Sequence, residues 1–194
     1  MKNGREFFIS EGVADRSLTV HGAGLTIDDV VRVSRNGIPV RLTENPETIA
    51  RIHTSREIIR RAVENGEVIY GVTTAFGGMA NIQVQKEAAE ALQNNIAWPH
   101  KTGVGNRLPE SVVRGAMLLR TNSLMRGASG VRLELIQRIV DCLNAGLIPH
   151  VHELGSIGAS GDLVPLAYIL GAVIGLDPAY RVDLKGEEMD CISA

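Results

Sequence analysis

A serine set among turn-forming glycines is open to several chemistries, and this chain carries one in "GSIGASGDLVPL", Gly155 to Leu166. A serine-hydrolase elbow needs Gly-x-Ser-x-Gly, so that a strand can turn sharply into a helix. In that frame the stretch reads Gly158-Ala159-Ser160-Gly161-Asp162, and the last glycine is missing. A phosphate loop would use Gly155, Gly158 and Gly161 ahead of a helix N-terminus, where amides attract anions. No Lys-Ser/Thr follows, and Asp162 would repel phosphate. A plain tight connection, capped by Ser160 or Asp162 at the start of the next helix, is the structural alternative. The fourth chemistry is self-reaction. In a tight bend the Gly161 nitrogen attacks the Ala159 carbonyl, and loss of water from the ring and from the Ser160 side chain leaves a methylidene-imidazolone. Glycine supplies an unhindered nitrogen, alanine an open carbonyl and serine the departing hydroxyl. The tripeptide alone does not choose, because Ala-Ser-Gly also occurs at Ala128-Ser129-Gly130.

Other residues with chemistry to offer are few. Tyr70 opens the glycine-rich stretch "IYGVTTAFGGMAN", and on its own it reads as a buried aromatic at a strand end. His150 and His152 in "PHVHELG" have the alternate spacing of one strand face, but no third metal ligand is evident. Cys142 and Cys191 stand far apart without a CxxC pair, which argues against a disulfide framework or structural zinc and suits a reducing cytoplasm.

These residues need a scaffold, and the chain has the means to build one. Its 194 residues are 44% hydrophobic, enough for a real core. A net charge of -2 with no basic field gives no footing for nucleic acid. The N-terminus lacks an apolar signal region, and no long apolar run reads as a membrane span. The first helix is announced by Thr26 as N-cap with Asp29 behind it and Gly37 as its stop. A second begins at Pro46 and ends at Asn65-Gly66. Residues 67–84 break the rhythm as a glycine-rich loop, the sort of segment that carries function. Helical pattern returns in "KEAAEALQNNIAW", stops at Pro99 and "KTGVGN", resumes from Pro109 to about Arg126, and again from Val131 to Asn144 before Gly146. Leu163 to Leu176 reads as a buried helix with Pro165 in its first turn. The expected class is mainly α, with short strands and glycine-rich loops between helices. The chain stops at "GEEMDCISA" without a closing helix, as though further sequence finished the domain.

Taken together, "GSIGASGDLVPLAYILG", "IYGVTTAFGGMAN", "KTGVGNRLP" and "LLRTNSLMRGASGVRLELI" resemble the aromatic amino acid ammonia-lyase family, from about residue 25 onward. The family includes histidine, phenylalanine and tyrosine ammonia-lyases and related aminomutases, and this chain looks most like the bacterial phenylalanine type. The resemblance implies the N-terminal part of an ammonia-lyase-like helical fold, spanning 1–194. It assigns ring formation to Ala159-Ser160-Gly161, with no external cofactor and no metal, and leaves Ala128-Ser129-Gly130 as a structural turn. It implies that the substrate amine adds to the ring, that Tyr70 removes a proton from the β-carbon, and that ammonia leaves an α,β-unsaturated acid. Free tyrosine titrates near about pH 10, so this role needs cationic or hydrogen-bonding neighbours. Phe76, Gly77 and Gly78 become the lid that excludes water. Ile96, Pro99 and His100 become substrate contacts. Phenylalanine-type enzymes carry Phe-Leu at the Pro99-His100 pair, tyrosine-type His-Leu and histidine-type Ser-His, so Pro-His departs from all three.

The implied partner is a small aromatic amino acid, and the implied assembly a homotetramer in the cytoplasm. Tyrosine or histidine deamination and 2,3-aminomutase activity stay open. So does a helical assembly module without activity, since family members are much longer and complete their sites with later helices and neighbouring subunits.

Overall fold

A computed structural model describes residues 17–85, 88, 91–92, 95–158 and 163–194. Five α-helices carry the described part: α1 (Ile27–Ser34), α2 (Pro46–Glu64), α3 (Glu110–Leu124), α4 (Leu133–Ala145) and α5 (Leu163–Val173). The class is mainly α, as expected. Seven short strands accompany them: β1 (Leu18–Val20), β2 (Val40–Leu42), β3 (Val104–Arg107), β4 (Leu147–Pro149), β5 (His152–Leu154), β6 (Arg181–Leu184) and β7 (Glu187–Asp190). The expected helix around "KEAAEALQNNIAW" falls largely outside the described residues.

The helix ends follow their caps. Thr26 accepts from the Asp29 N–H at 3.2 Å while the Asp29 carboxylate accepts from the Thr26 N–H at 3.1 Å, a reciprocal capping box. Asn45 accepts from the Glu47 and Thr48 amides, and Pro46 fills the first helical position, where no amide partner is needed.

The core lies where α1, α3, α4 and α5 meet. Val33, Met117, Leu118, Ile136, Val140, Leu143 and Val173 are all buried there. Arg114 of α3 is buried as well, and its guanidinium donates to the Val33 and Leu143 carbonyls, each at 3.2 Å. A buried guanidinium is tolerable because its donors end on carbonyls in the last turns of two helices, where acceptor capacity is left over. Nearly every face of α5 is buried, the pattern of a helix enclosed on all sides.

Three small sheets surround the helices. β1 and β2 pair in parallel across α1. β3 pairs antiparallel with β5, and β4, β6 and β7 form an antiparallel sheet in the order β4-β6-β7. Two of these pairings depart from expectation. "KTGVGN" enters β3 although its exposed Val-Gly-Asn-Arg has no alternation. Glu153 on β5 holds it, its carboxylate accepting from the Asn106 backbone N–H at 3.1 Å and side-chain amide at 3.0 Å. The β6–β7 hairpin turns at Lys185 and Gly186, both at positive φ of 54° and 88°, the geometry that suits a two-residue hairpin.

Candidate active site

The tyrosine loop, residues 67–84, is built by two buried threonines. Thr73 donates its hydroxyl to the Glu67 carbonyl at 2.6 Å and accepts from the Ile69 N–H at 2.7 Å. Thr74 accepts from the Gly71 N–H at 3.1 Å and pairs with Gln83 across a short bridge. With its backbone needs met this way, the loop holds a fixed bend although it has almost no regular structure. At Tyr70 expectation and structure part. The reading as a buried aromatic fails, because Tyr70 is 59% exposed. Its ring meets Phe76 edge-on at 6.5 Å, and its hydroxyl oxygen accepts from the Gly77 N–H at 3.1 Å. Gly77 opens the one-turn 3₁₀ segment Gly77–Met79, and of the three expected lid residues Phe76 and Gly77 meet the tyrosine. The oxygen has a further lone pair for a molecule bound beside it.

The second assembly is the turn at 96–103. His100 Nδ1 lies 2.6 Å from the Ile96 carbonyl, which joins two of the expected substrate contacts; Pro99 is exposed beside them. A carbonyl only accepts, so Nδ1 carries the proton and Nε2 is the ring's acceptor when the imidazole is neutral. Trp98 and Lys101 flank Pro99-His100, and the Lys101 N–H closes on the Trp98 carbonyl at 3.1 Å. The Trp98 ring lies 6.1 Å from that of Tyr180, and Lys101 Nζ lies 5.5 Å and 5.6 Å from the Tyr168 and Tyr180 ring centres. Tyr180 is 1% exposed, and burial pushes its phenol up to about 12. Among the described residues its hydroxyl has no hydrogen-bond partner. None of Trp98, Lys101, Tyr168 and Tyr180 was singled out from sequence.

Ala159, Ser160 and Gly161 lie outside the described residues. Their flanks are described, and they suit a tight bend. Gly158 stands at φ +59° with its N–H on the Ser156 hydroxyl at 3.2 Å. On the far side the Val164 N–H donates to the Ser156 carbonyl at 2.9 Å, so the chain returns to where it left. Gly155 has no room for a side chain, since a Cβ there would stand 2.7 Å from Val164 Cγ1.

The two histidines of "PHVHELG" go to different places. His152 meets the Tyr168 ring at 5.5 Å and its Nδ1 lies 3.1 Å from the Gly105 carbonyl. His150 is buried, with Nε2 3.0 Å from Asp183 and 3.1 Å from Arg107. The ligand atoms of His150, Asp183 and Glu188 lie within 4.8 Å of one another, but Arg107 and Arg181 both hold Glu188. The Arg107 hydrogen bond holds the Glu188 carboxyl below its usual range, as expected of an ion-pair network.

The described scaffold is mainly helical and presents an exposed tyrosine and an aromatic-flanked histidine turn. Residues 25–194 match the aromatic amino acid lyase family, and the chain belongs to it. The chain is 56% identical over 181 residues to a phenylalanine ammonia-lyase of Nostoc punctiforme, covering 93% of itself and 32% of that relative. It is 54% identical over 175 residues to an aromatic ammonia-lyase of Loktanella atrilutea, covering 90% of itself and 32% of the relative. Its fold superposes on a tyrosine aminomutase of Streptomyces globisporus with a TM-score of 0.82 at 34% identity, over 91% of this chain and 32% of that one. The chain thus spans about a third of the length of these relatives. No helix among the described residues is long and apolar enough to cross a membrane.

Proposed function

We propose that this chain belongs to an enzyme that removes ammonia non-oxidatively from an aromatic L-amino acid, with L-phenylalanine giving trans-cinnamate as the leading reaction. The observation that carries the reading is Tyr70: an exposed phenol, oriented by the Gly77 amide, in a chain more than half identical to a phenylalanine ammonia-lyase. The methylidene-imidazolone formed from Ala159-Ser160-Gly161 would supply the electrophile for the substrate amine. Tyr70 takes the β-proton, and the Gly77 N–H keeps its oxygen in place while it does so. Phe76, Gly77 and Gly78 close over the substrate and keep water out. Ile96, Pro99 and His100 contact the substrate ring. Assembly as a cytoplasmic homotetramer goes with this reading.

One observation favours a second substrate class. With Nδ1 committed to the Ile96 carbonyl, His100 offers an acceptor at Nε2, which suits a ring that donates a hydrogen bond, such as the phenol of tyrosine or the imidazole of histidine. Aminomutation shares the early chemistry and stays among the outcomes.

Intact-mass analysis of the full-length gene product should find the peptide containing Ala159 to Gly161 lighter by two waters. An unmodified peptide sinks the proposal and leaves the helical assembly module. A panel of phenylalanine, tyrosine and histidine, followed for unsaturated acids and β-amino acids, assigns substrate and reaction. Tyr70→Phe should keep the mass deficit and lose turnover by about 10²- to 10⁴-fold, the usual scale for removing a general base.

A further inference from the structure

We propose that Lys101 and Tyr180 are positioning residues that clamp the Pro99-His100 turn onto α5. The inference rests on the substrate role proposed above for that turn. Trp98 and Lys101 stand immediately on either side of Pro99-His100, and both side chains reach Tyr180, at 6.1 Å ring to ring and 5.6 Å ammonium to ring. Lys101 reaches Tyr168 of α5 as well, at 5.5 Å. Tyr180 is itself fixed by close approach to that helix: a Cβ at Gly171 would stand 2.2 Å from Tyr180 Cε1. The Tyr168 hydroxyl adds a long hydrogen bond to the Gly103 carbonyl at 3.4 Å, at the end of the turn.

The arrangement makes α5 a shared reference. The helix begins at Leu163, directly after the ring-forming segment and the residue that follows it. At 1.5 Å rise per residue, Tyr168 lies about 8 Å and Gly171 about 12 Å along it. One rigid element therefore sets where the electrophile starts and where the substrate-facing turn rests. The contact to the rings is made by the ammonium, since a ring face attracts a cation and leaves an apolar chain of equal length only dispersion. That the Tyr180 hydroxyl has no partner among the described residues fits this account, because the clamp uses the ring.

Lys101→Met keeps the stem and removes the charge. In the full-length gene product it should raise KM for the preferred amino acid about tenfold with kcat changed less than twofold, the scale of one partly desolvated cation–π contact. Lys101→Arg should restore KM, and Tyr180→Phe should leave it unchanged. Trp98 is the single tryptophan of these 194 residues; with any tryptophan elsewhere in the full-length product replaced by phenylalanine, its fluorescence anisotropy reads the turn without any turnover. It should fall in Lys101→Met and recover in Lys101→Arg. Unchanged anisotropy overturns the inference, and so does lowered anisotropy with unchanged KM in an active enzyme. Loss of the two-water deficit in Lys101→Met also overturns it, since the residue would then serve ring formation. A wild-type protein with no deficit and no turnover defeats the proposed activity instead, and Trp98 then decides the clamp alone.

Discussion

The tyrosine loop is tied by bonds that span four, six and seven positions of the chain, from Ile69 to Thr73, Thr73 to Glu67 and Gly77 to Tyr70. The turn carrying Pro99-His100 is tied to rings far along the sequence, as in the 65-position link from Gly103 to Tyr168. A segment of the first kind sets its own shape wherever the scaffold places it. The second segment closes locally on the Ile96 and Trp98 carbonyls, but it takes its position only once α5 and the residues after it are packed, since loop closure precedes the reward of contact. The tyrosine is thus locally encoded, and the Pro99-His100 turn inherits its position from the core.

Substitutions that strike one loop and spare the other test this contrast. The largest effect should come from Gly171→Ala, which drives a methyl into the Tyr180 ring. Overpacking of this kind costs about 3 kcal/mol. Chemical denaturation should show that loss, Trp98 emission should shift, and the proton exchange of the Ile69 and Gly71 amides should stay as in the parent. An intermediate effect is expected from Thr73→Val, which leaves the Glu67 carbonyl and the Ile69 N–H without their partner. The loss should be about 2 kcal/mol, with exchange at Ile69 accelerated and Trp98 emission unchanged. A shift of Trp98 in this variant would erase the contrast.

The smallest effect belongs to Tyr180→Phe, which deletes an unpartnered hydroxyl and should change stability at neutral pH by less than about 1 kcal/mol. Its signature is in alkali. Burial pushes the Tyr180 phenol up to about 12 from its ordinary 10.0, so the unfolded chain releases its proton first. Between those values the unfolded state binds fewer protons, and stability falls as pH rises through the folded value. Denaturation midpoints on either side of that window should show Tyr180→Phe losing less stability than the parent.

The same division governs what could be read from sequence. Thr26 with Asp29, and Pro46 at a first helical position, announce their helices because each signal is local to the helix start. The glycine-rich loop at 67–84 was legible for the same reason, although the exposure of Tyr70 was not, since it depends on how the threonines bend the chain. The strand at Val104–Arg107 escaped notice because its pairing comes from Glu153 on a distant strand. The β6–β7 hairpin escaped because Lys-Gly is a weaker turn signal than Asn-Gly or Asp-Gly. Lys101 and Tyr180 carry no motif; their meaning is in which rings the fold brings to the ammonium. The segment proposed to form the ring was singled out through its family resemblance, and Val164 and Ser156 add that its flanks meet.

The last turn of α4 has one more consequence. Leu143 offers its carbonyl to the guanidinium that also holds the end of α1, and the next residue, Asn144, grips both backbone groups of Val40 with its amide, at 2.9 Å and 2.7 Å. An asparagine on a helix end thus serves as a strand edge for a two-stranded ribbon that would be marginal alone. Residues 18–42 are therefore joined cooperatively to a helix about a hundred positions downstream, and should lose protection from exchange together with it.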